Sequence, residues 1–292
     1  MFESVSRSWS LAKVSFAVVK ADKELLLFPL LAAIFSVSFA LLMIVPMLMP
    51  AVLEILGFTG ASDVLWYPVM FVVYFGLAFI ATFFNVCVVY TTKVRLEGGN
   101  ATFGDSIGFA FGRLNQILMW SFVSATVGLL LRALDRIGER MGKSGEIIMK
   151  IVTSVLGAVW SIATIFVIPV MVYEGVGPFD AVKSSISTLK KTWGEALVQG
   201  VGLGLAQMII LLPVMFIMGL ATLAAVSIGL PWYLVLALAV LGGTAVLAIM
   251  LVFSVLNAVF TTALYVYAKK GKITGGFDKE LLKSAFGEKA SI

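Results

Sequence analysis

The chain has 292 residues, of which 61% are hydrophobic and only 13% are charged. Soluble domains carry about 25% charged residues, so this composition excludes a soluble protein and indicates an integral membrane protein. Lys and Arg outnumber Asp and Glu by 21 to 16. In a membrane protein such an excess orients the spans, and we expect no nucleic-acid partner.

The absence of histidine excludes many chemistries. The chain has no His and a single cysteine, Cys87, so it lacks the commonest general base and metal ligand and cannot form an intramolecular disulfide. The sequence also shows no serine–histidine–aspartate set, no carboxylate pair and no Walker loop. We therefore expect no enzymatic activity, no catalytic residues, no metal site and no cofactor.

The N-terminal stretch MFESVSRSWSLAKVSF has no removable signal peptide pattern, so we expect Met1 to be the mature start and the first span to act as an uncleaved signal. A spanning helix needs about 20 residues. Six apolar segments meet or approach this length: 25–50, 64–92, 115–132, 150–173, 196–228 and 232–268. They predict an all-α integral membrane protein with six transmembrane helices in a single polytopic domain, 1–292.

The connections between the spans predict how they pair. Short connections at 57–63 and 228–232 favour antiparallel hairpins. The last two segments exceed a simple span, so tilt, a break near Pro213 or an extension beyond the lipid is expected to absorb the surplus.

The basic residues predict an orientation with both termini in the cytoplasm of a plasma membrane. That orientation places 16 of the 21 Lys and Arg residues on the cytoplasmic side. The other five lie at 132–150, which would face outward. There Asp135, Glu139 and Glu146 lie at helical spacing to the bases, for example Asp135 and Glu139 to Arg136, Arg140 and Lys143, which predicts a salt-bridged helical extension.

A short amphipathic phrase precedes each predicted hairpin. It combines an aromatic residue, an acidic residue and usually a serine, and it occurs at 2–8, 103–111 and 179–185. The third copy continues as one helical apolar stripe: Phe179, Val182, Ile186, Leu189 and Trp193. We predict an amphipathic interfacial helix before each of three hairpins, and hence a threefold internal repeat with copies 1–92, 103–173 and 179–268. A final phrase predicts a C-terminal amphipathic helix at 277–286 whose apolar side is buried.

Six polar positions in or beside the spans are candidates for function. Asn85, Asn257, Thr92 and Thr262 lie in apolar runs that resemble each other, FFNVCVVYTT and VLNAVFTTALY, where they would either line a polar pathway or bond helices together. Glu97 and Glu174 follow spans two and four. They would either bind a cation or proton at a vestibule, or cap the following helices and pair with nearby lysines and arginines.

The run PVMVYEGVGPFDAVKSSISTLKKTWGEAL, residues 169–197, resembles the signature of an uncharacterised family of archaeal and bacterial multi-pass membrane proteins. In layout the chain is similar to the membrane domains fused to some glycerophosphodiester phosphodiesterases. Those domains likewise alternate a proline-containing span, an acidic–glycine turn and an amphipathic helix. The resemblance implies a membrane location and no activity.

Two functions fit these features. The first is a non-catalytic protein that organises the membrane or binds lipid or a partner, either a membrane protein or a second copy, through its amphipathic helices. The alternative is a protomer of a channel or transporter for a small solute or ion, although the spans contain almost no charge. A continuous polar lumen would distinguish the alternative from the first.

Overall fold

The computed structural model describes residue 19 and residues 22–57, 61–191 and 193–270. Within these residues the protein is helical throughout and has no strand. The predicted phrase at 2–8 and the predicted helix at 277–286 lie outside the described residues.

Nine α-helices follow a short 3-10 turn at Lys23–Leu26. They are α1 (Leu27–Ile55), α2 (Ala61–Leu96), α3 (Phe103–Gly112), α4 (Leu114–Arg140), α5 (Gly142–Ala163), α6 (Val167–Glu174), α7 (Pro178–Lys191), α8 (Trp193–Ser227) and α9 (Trp232–Lys270), counted over the described part of the chain. Six segments are long and apolar enough to cross a membrane: Lys23–Ile55, Trp66–Leu96, Leu114–Arg140, Gly142–Glu174, Gly202–Ser227 and Trp232–Val266. Six predicted spans are thus confirmed, and the architecture is that of a multi-pass membrane protein.

The chain divides into two compact units. The larger, here the four-span unit, consists of Phe28–Arg95 and Gly99–Lys191. In it α4 packs against α5, α6 packs against α7, and α7 also contacts α4 and α5. The smaller, here the two-span unit, contains α8 and α9, which pack along each other. The boundary after Lys191 falls inside the predicted repeat 179–268. Hairpin pairing and the threefold repeat stay predictions.

The predicted outward connection at 132–150 is helical and contains one ion pair at helical spacing, Glu146 with Lys150 at 2.6 Å, whereas Asp135 and Arg136 contact other helices. The α4 helix continues to Arg140, and α5 begins after a single turn residue, Met141. Asp135 accepts a hydrogen bond from the Thr153 hydroxyl of α5 at 2.6 Å. The Arg136 guanidinium lies 5.7 Å from the ring centre of Trp66 on α2. Neighbouring helices thus supply partners that the spacing along one helix could not indicate.

Pro213 and Pro169 have different effects on the spans that contain them. The α8 helix runs through Pro213 to Ser227, so the break considered there is absent and the helix keeps its full length. The Gly142–Glu174 span is instead interrupted at 164–166, between α5 and α6. Pro169 follows this interruption. A proline ring clashes with the carbonyl four residues earlier, here that of Ile165, so a continuous helix is disfavoured at this point.

Candidate functional site

The structure separates the predicted asparagines from the predicted threonines. Asn85 and Asn257 are both exposed on their helices. Thr92 and Thr262 are fully buried, and each hydroxyl donates to a carbonyl of its own helix, that of Val88 at 2.8 Å and that of Ala258 at 2.7 Å. The two residue types therefore do not share a polar face, and the buried threonines already have their hydroxyl donors satisfied.

The two glutamates lie in exposed positions where their spans end. Glu97 lies in the turn after α2, but the N-cap of α3 is Thr102, so Glu97 does not cap that helix. Glu174 is the last residue of α6 and accepts a hydrogen bond from the Ser184 hydroxyl of α7 at 3.0 Å. The glutamate thus bonds a serine on the following helix rather than capping it.

A capping box begins α3. The Asp105 amide donates to the Thr102 hydroxyl at 3.2 Å, and the Thr102 amide donates to the Asp105 carboxylate at 2.9 Å. The second of these bonds is the main reason that the pKa of Asp105 is lowered, with the Thr102 hydroxyl bond adding to it. The box fixes where α3 begins and turns the chain out of the preceding span.

A buried serine holds α3 to α2. The Ser106 hydroxyl is fully buried and lies 2.6 Å from the Thr91 hydroxyl of α2, which itself donates to the Cys87 carbonyl at 3.0 Å. Next to it, the ring of Phe109 stacks on Tyr90 of α2 with ring centres 4.2 Å apart. A hydroxyl pair and an aromatic stack therefore fix this helix against the end of span two.

A second buried serine fills the interruption between α5 and α6. The Ser185 hydroxyl of α7 donates to the Ala163 carbonyl at 2.7 Å and accepts from the Phe166 amide at 3.1 Å. In an unbroken helix the Phe166 amide would donate to the Ile162 carbonyl and the Ala163 carbonyl would accept from the Val167 amide, whereas at this interruption both groups bond the Ser185 hydroxyl. One serine satisfies both, and this permits a broken span without unsatisfied buried backbone groups.

The Arg113 side chain connects the end of α3 to Gly175, the residue that follows α6. The Arg113 side chain, at the residue between α3 and α4, lies over the Phe109 ring at 5.5 Å. It also donates to the Gly175 carbonyl at 3.4 Å. Gly175 ends α6 with a φ of 68°, a left-handed conformation that favours glycine. The residues that follow spans two and four are thereby held together in the four-span unit.

The α7 helix buries a different face from the apolar stripe seen in its sequence. Ala181 and Ser185 are fully buried, whereas Phe179 is 69% exposed and Ile186 is 37% exposed. Of the predicted stripe, Leu189 is buried. The helix therefore packs on the protein through small side chains and leaves two large apolar side chains outside. Trp193 belongs to the residues whose side chains the structure does not describe.

An apolar groove of about 630 Å³ opens beside the start of α7 in the four-span unit. Phe75 of α2 and Pro178 and Phe179 of α7 form part of its lining. The wall on α4 consists of Leu118, Met119, Phe122, Val123, Thr126 and Val127. The Thr126 hydroxyl donates to the Phe122 carbonyl at 2.8 Å, so its donor is not available to the groove.

Sequence reasoning identified Phe179 but missed the α4 wall of the groove. Met119, Phe122 and Thr126 recur at steps of three and four residues, which marks one helical face. Inside a span, however, apolar residues surround the whole helix. The spacing therefore cannot show which face forms a groove and which packs on a neighbour.

Comparison with known proteins gives a family for the chain. The model of the family DUF6159, described as a family of unknown function, matches residues 64–276. The match spans well over half of the chain, so the protein belongs to this family. No match was found among curated proteins or among solved structures. The predicted membership of an uncharacterised membrane-protein family agrees with this result, and the similarity to phosphodiesterase membrane domains stays a prediction.

Proposed function

We propose that this member of DUF6159 is a non-catalytic lipid-binding protein that organises the membrane around it. The observation that carries the proposal is the apolar groove, whose volume of about 630 Å³ lies within the roughly 300–1,000 Å³ of ligand pockets. Its walls belong to two membrane-spanning helices, so the molecules that reach it are lipids. An acyl chain matches a groove that is apolar along its walls.

The exposed residues of α7 support the same function. Phe179 and Ile186 point away from the protein, and Lys183 has 81% of its side chain exposed. A helix with exposed large apolar residues and exposed lysines is suited to the boundary between acyl chains and anionic headgroups. In this proposal both termini are cytoplasmic, the membrane is a prokaryotic plasma membrane, and α3 and α7 lie at its cytoplasmic face. The similarity in layout to phosphodiesterase membrane domains is part of the same proposal.

The residue inventory supports a role without catalysis. The sequence has no histidine, and its single cysteine, Cys87, is buried. Two carboxylates of the four-span unit have structural roles, since Asp105 belongs to the capping box of α3 and Glu174 accepts a hydrogen bond from Ser184, and the groove lining itself contains no carboxylate. The groove therefore offers shape and apolar contact, which suit binding rather than bond cleavage.

A lipid-labelling experiment tests this function. The protein is reconstituted in vesicles of phosphatidylethanolamine and phosphatidylglycerol that contain a phospholipid with a photoreactive acyl chain. Met119→Trp places a bulky ring in the groove, and Met215→Trp on α8 is its matched control, since both methionines are about half exposed. We expect Met119→Trp to reduce labelling of α4 and α7 severalfold and Met215→Trp to leave it unchanged. Equal labelling of all three proteins would contradict the proposal.

The alternative, a channel or transporter protomer, is favoured by one observation. The Gly142–Glu174 span is broken at 164–166, and broken spans occur in transporters where helices move or bind substrate. The test is solute flux in proteoliposomes. Flux of a defined solute that depends on the protein and changes in Ser185→Ala would support this function over lipid binding alone.

A further inference from the structure

A second cavity, of about 270 Å³, lies between α8 and α9 in the two-span unit. Three of its lining residues carry hydrogen-bonding side chains: Gln207, Ser254 and Asn257. The remaining lining residues are Leu203, Gly204, Met250 and Phe253. None of the three polar side chains has a hydrogen-bond partner within the part of the chain that the structure describes. The cavity carries no charged residue, so an ion has no counter-charge there.

These polar groups lie deep within apolar spans. With a rise of 1.5 Å per residue, Gln207 is roughly 21 Å along α8 from its first residue, Trp193. By the same rise, Asn257 is roughly 20 Å along α9 from its last residue, Lys270. Acyl chains cannot satisfy donors and acceptors at this depth, and headgroups do not reach it. The occupant must therefore bring hydrogen-bonding groups into the hydrocarbon region.

The exposed face of α9 is long enough to seat a helix. One row of exposed residues recurs at alternating steps of four and three, at Leu236, Val240, Gly243, Leu247, Met250, Ser254 and Asn257, and a second exposed row, Ala237, Leu241, Thr244 and Ala248, lies beside it. This is the spacing of a seam between two coiled helices. A seam of this length extends far beyond the cavity, and a small solute would not require it.

We propose that a second copy of this chain docks on this face, with the cavity residues of the two copies hydrogen-bonded across a twofold axis. Asn and Gln amides each donate and accept, so the same patch on two copies is self-complementary, as a twofold interface requires. A Cβ atom built at Gly204 would meet no atom within 4 Å, so the backbone of α8 is open to close approach. This inference is independent of lipid binding in the four-span unit.

Energy transfer between labelled copies tests the dimer. Donor- and acceptor-labelled full-length proteins are mixed in vesicles of phosphatidylethanolamine and phosphatidylglycerol over a range of protein-to-lipid ratios. The cavity variants are Gly204→Leu, which fills the cavity between α8 and α9, and the double variant Gln207→Leu with Asn257→Leu. Their controls are Gly128→Leu, at another glycine with open space around it, and Asn85→Leu, at another exposed asparagine.

We expect each cavity variant to weaken association of the two copies about tenfold, because interhelical hydrogen bonds or close packing are lost. The controls should associate like the unaltered protein. Helical circular dichroism confirms that each variant is folded. The dimer would be overturned if the unaltered protein were monomeric at every protein-to-lipid ratio. It would also be overturned if the cavity variants associated like their controls.

Disulfide trapping gives a second measurement of the dimer. It needs no variant that removes packing or hydrogen bonds at the cavity, so a loss of folding cannot produce the result. Ser254→Cys in a Cys87→Ala background places one thiol on the proposed seam, and Val226→Cys in the same background places one on an exposed position of α8 outside it. With a mild oxidant in the same vesicles, the first variant is expected to form a covalent dimer and the second is not. Equal trapping at both positions would show random collision and contradict the interface.

Discussion

Two segments, here the junctions 97–106 and 174–185, each begin with Glu–Gly where a span ends and continue into a short helix. They begin alike and differ in what their buried serines contact. Gly98 and Gly175 both have left-handed backbones, with φ of 85° and 68°, and both precede a short helix with a fully buried serine. Ser106 lies 2.6 Å from the Thr91 hydroxyl and also bonds the carbonyl of Thr102, the N-cap of its own helix, at 3.2 Å, along an unbroken span. Ser185 instead bonds two backbone groups at a break. Ser106 therefore packs one helix on another, whereas Ser185 maintains the geometry of a broken span.

The largest expected effect separates the two serines. Ser185→Ala removes the two hydrogen bonds that the Ser185 hydroxyl makes with the Phe166 amide and the Ala163 carbonyl, and we expect it to lower the free energy of unfolding by about 2 kcal/mol, since loss of a buried hydrogen-bond partner costs about 1–3 kcal/mol. Ser106→Ala is expected to cost only about 0.6 kcal/mol, because Thr91 keeps its bond to Cys87. Thermal unfolding in lipid nanodiscs measures both, and hydrogen exchange at Phe166 should rise only in Ser185→Ala. Equal losses would mean that the break does not depend on Ser185.

The two glycines give a smaller contrast. An added methyl group at Gly175 would overlap the Arg113 guanidinium, whereas one at Gly98 would meet no atom within 4 Å. Both alanine variants are expected to lose about 1 kcal/mol from the left-handed backbone, and Gly175→Ala about 1 kcal/mol more from displacement of Arg113. Unfolding of both variants in nanodiscs checks the difference. If Arg113→Ala removed none of the excess in a double variant, the contact would not be its cause.

The smallest expected effect is a pH dependence confined to the first junction. The pKa of Asp105 is lowered in the folded protein by its bond from the Thr102 amide. Its contribution to stability is therefore complete above the unfolded pKa of about 3.9 and is lost as the pH falls through the lower folded value. The protection factors of the amides at 103–106, which compare each rate with that of an unfolded chain at the same pH, should fall in that range, and Asp105→Asn should remove the dependence. The same fall in Asp105→Asn would assign the effect to another group.

Much of the helical layout was predictable because the bilayer permits few alternatives. All six spans were identified from apolar length alone, and the phrases at 103–111 and 179–185 fold as helices α3 and α7. The details that depend on neighbouring helices were not predictable. Asp135 bonds Thr153 rather than an adjacent base, and Pro169 rather than Pro213 lies near a break. The candidate asparagines and threonines lie on different faces, which a linear pattern of polar residues does not show.

The sequence by itself determined that this protein crosses the membrane as helices, since backbone groups in hydrocarbon must be satisfied within one segment. Only the tertiary structure decided which faces those helices bury. In water the apolar stripe of α7 would turn inward, whereas at the membrane boundary proposed for this helix acyl chains are as apolar as a protein core and exert no such preference. Ala181 and Ser185 therefore pack inward by shape and hydrogen bonding, while Phe179 stays outside beside the groove.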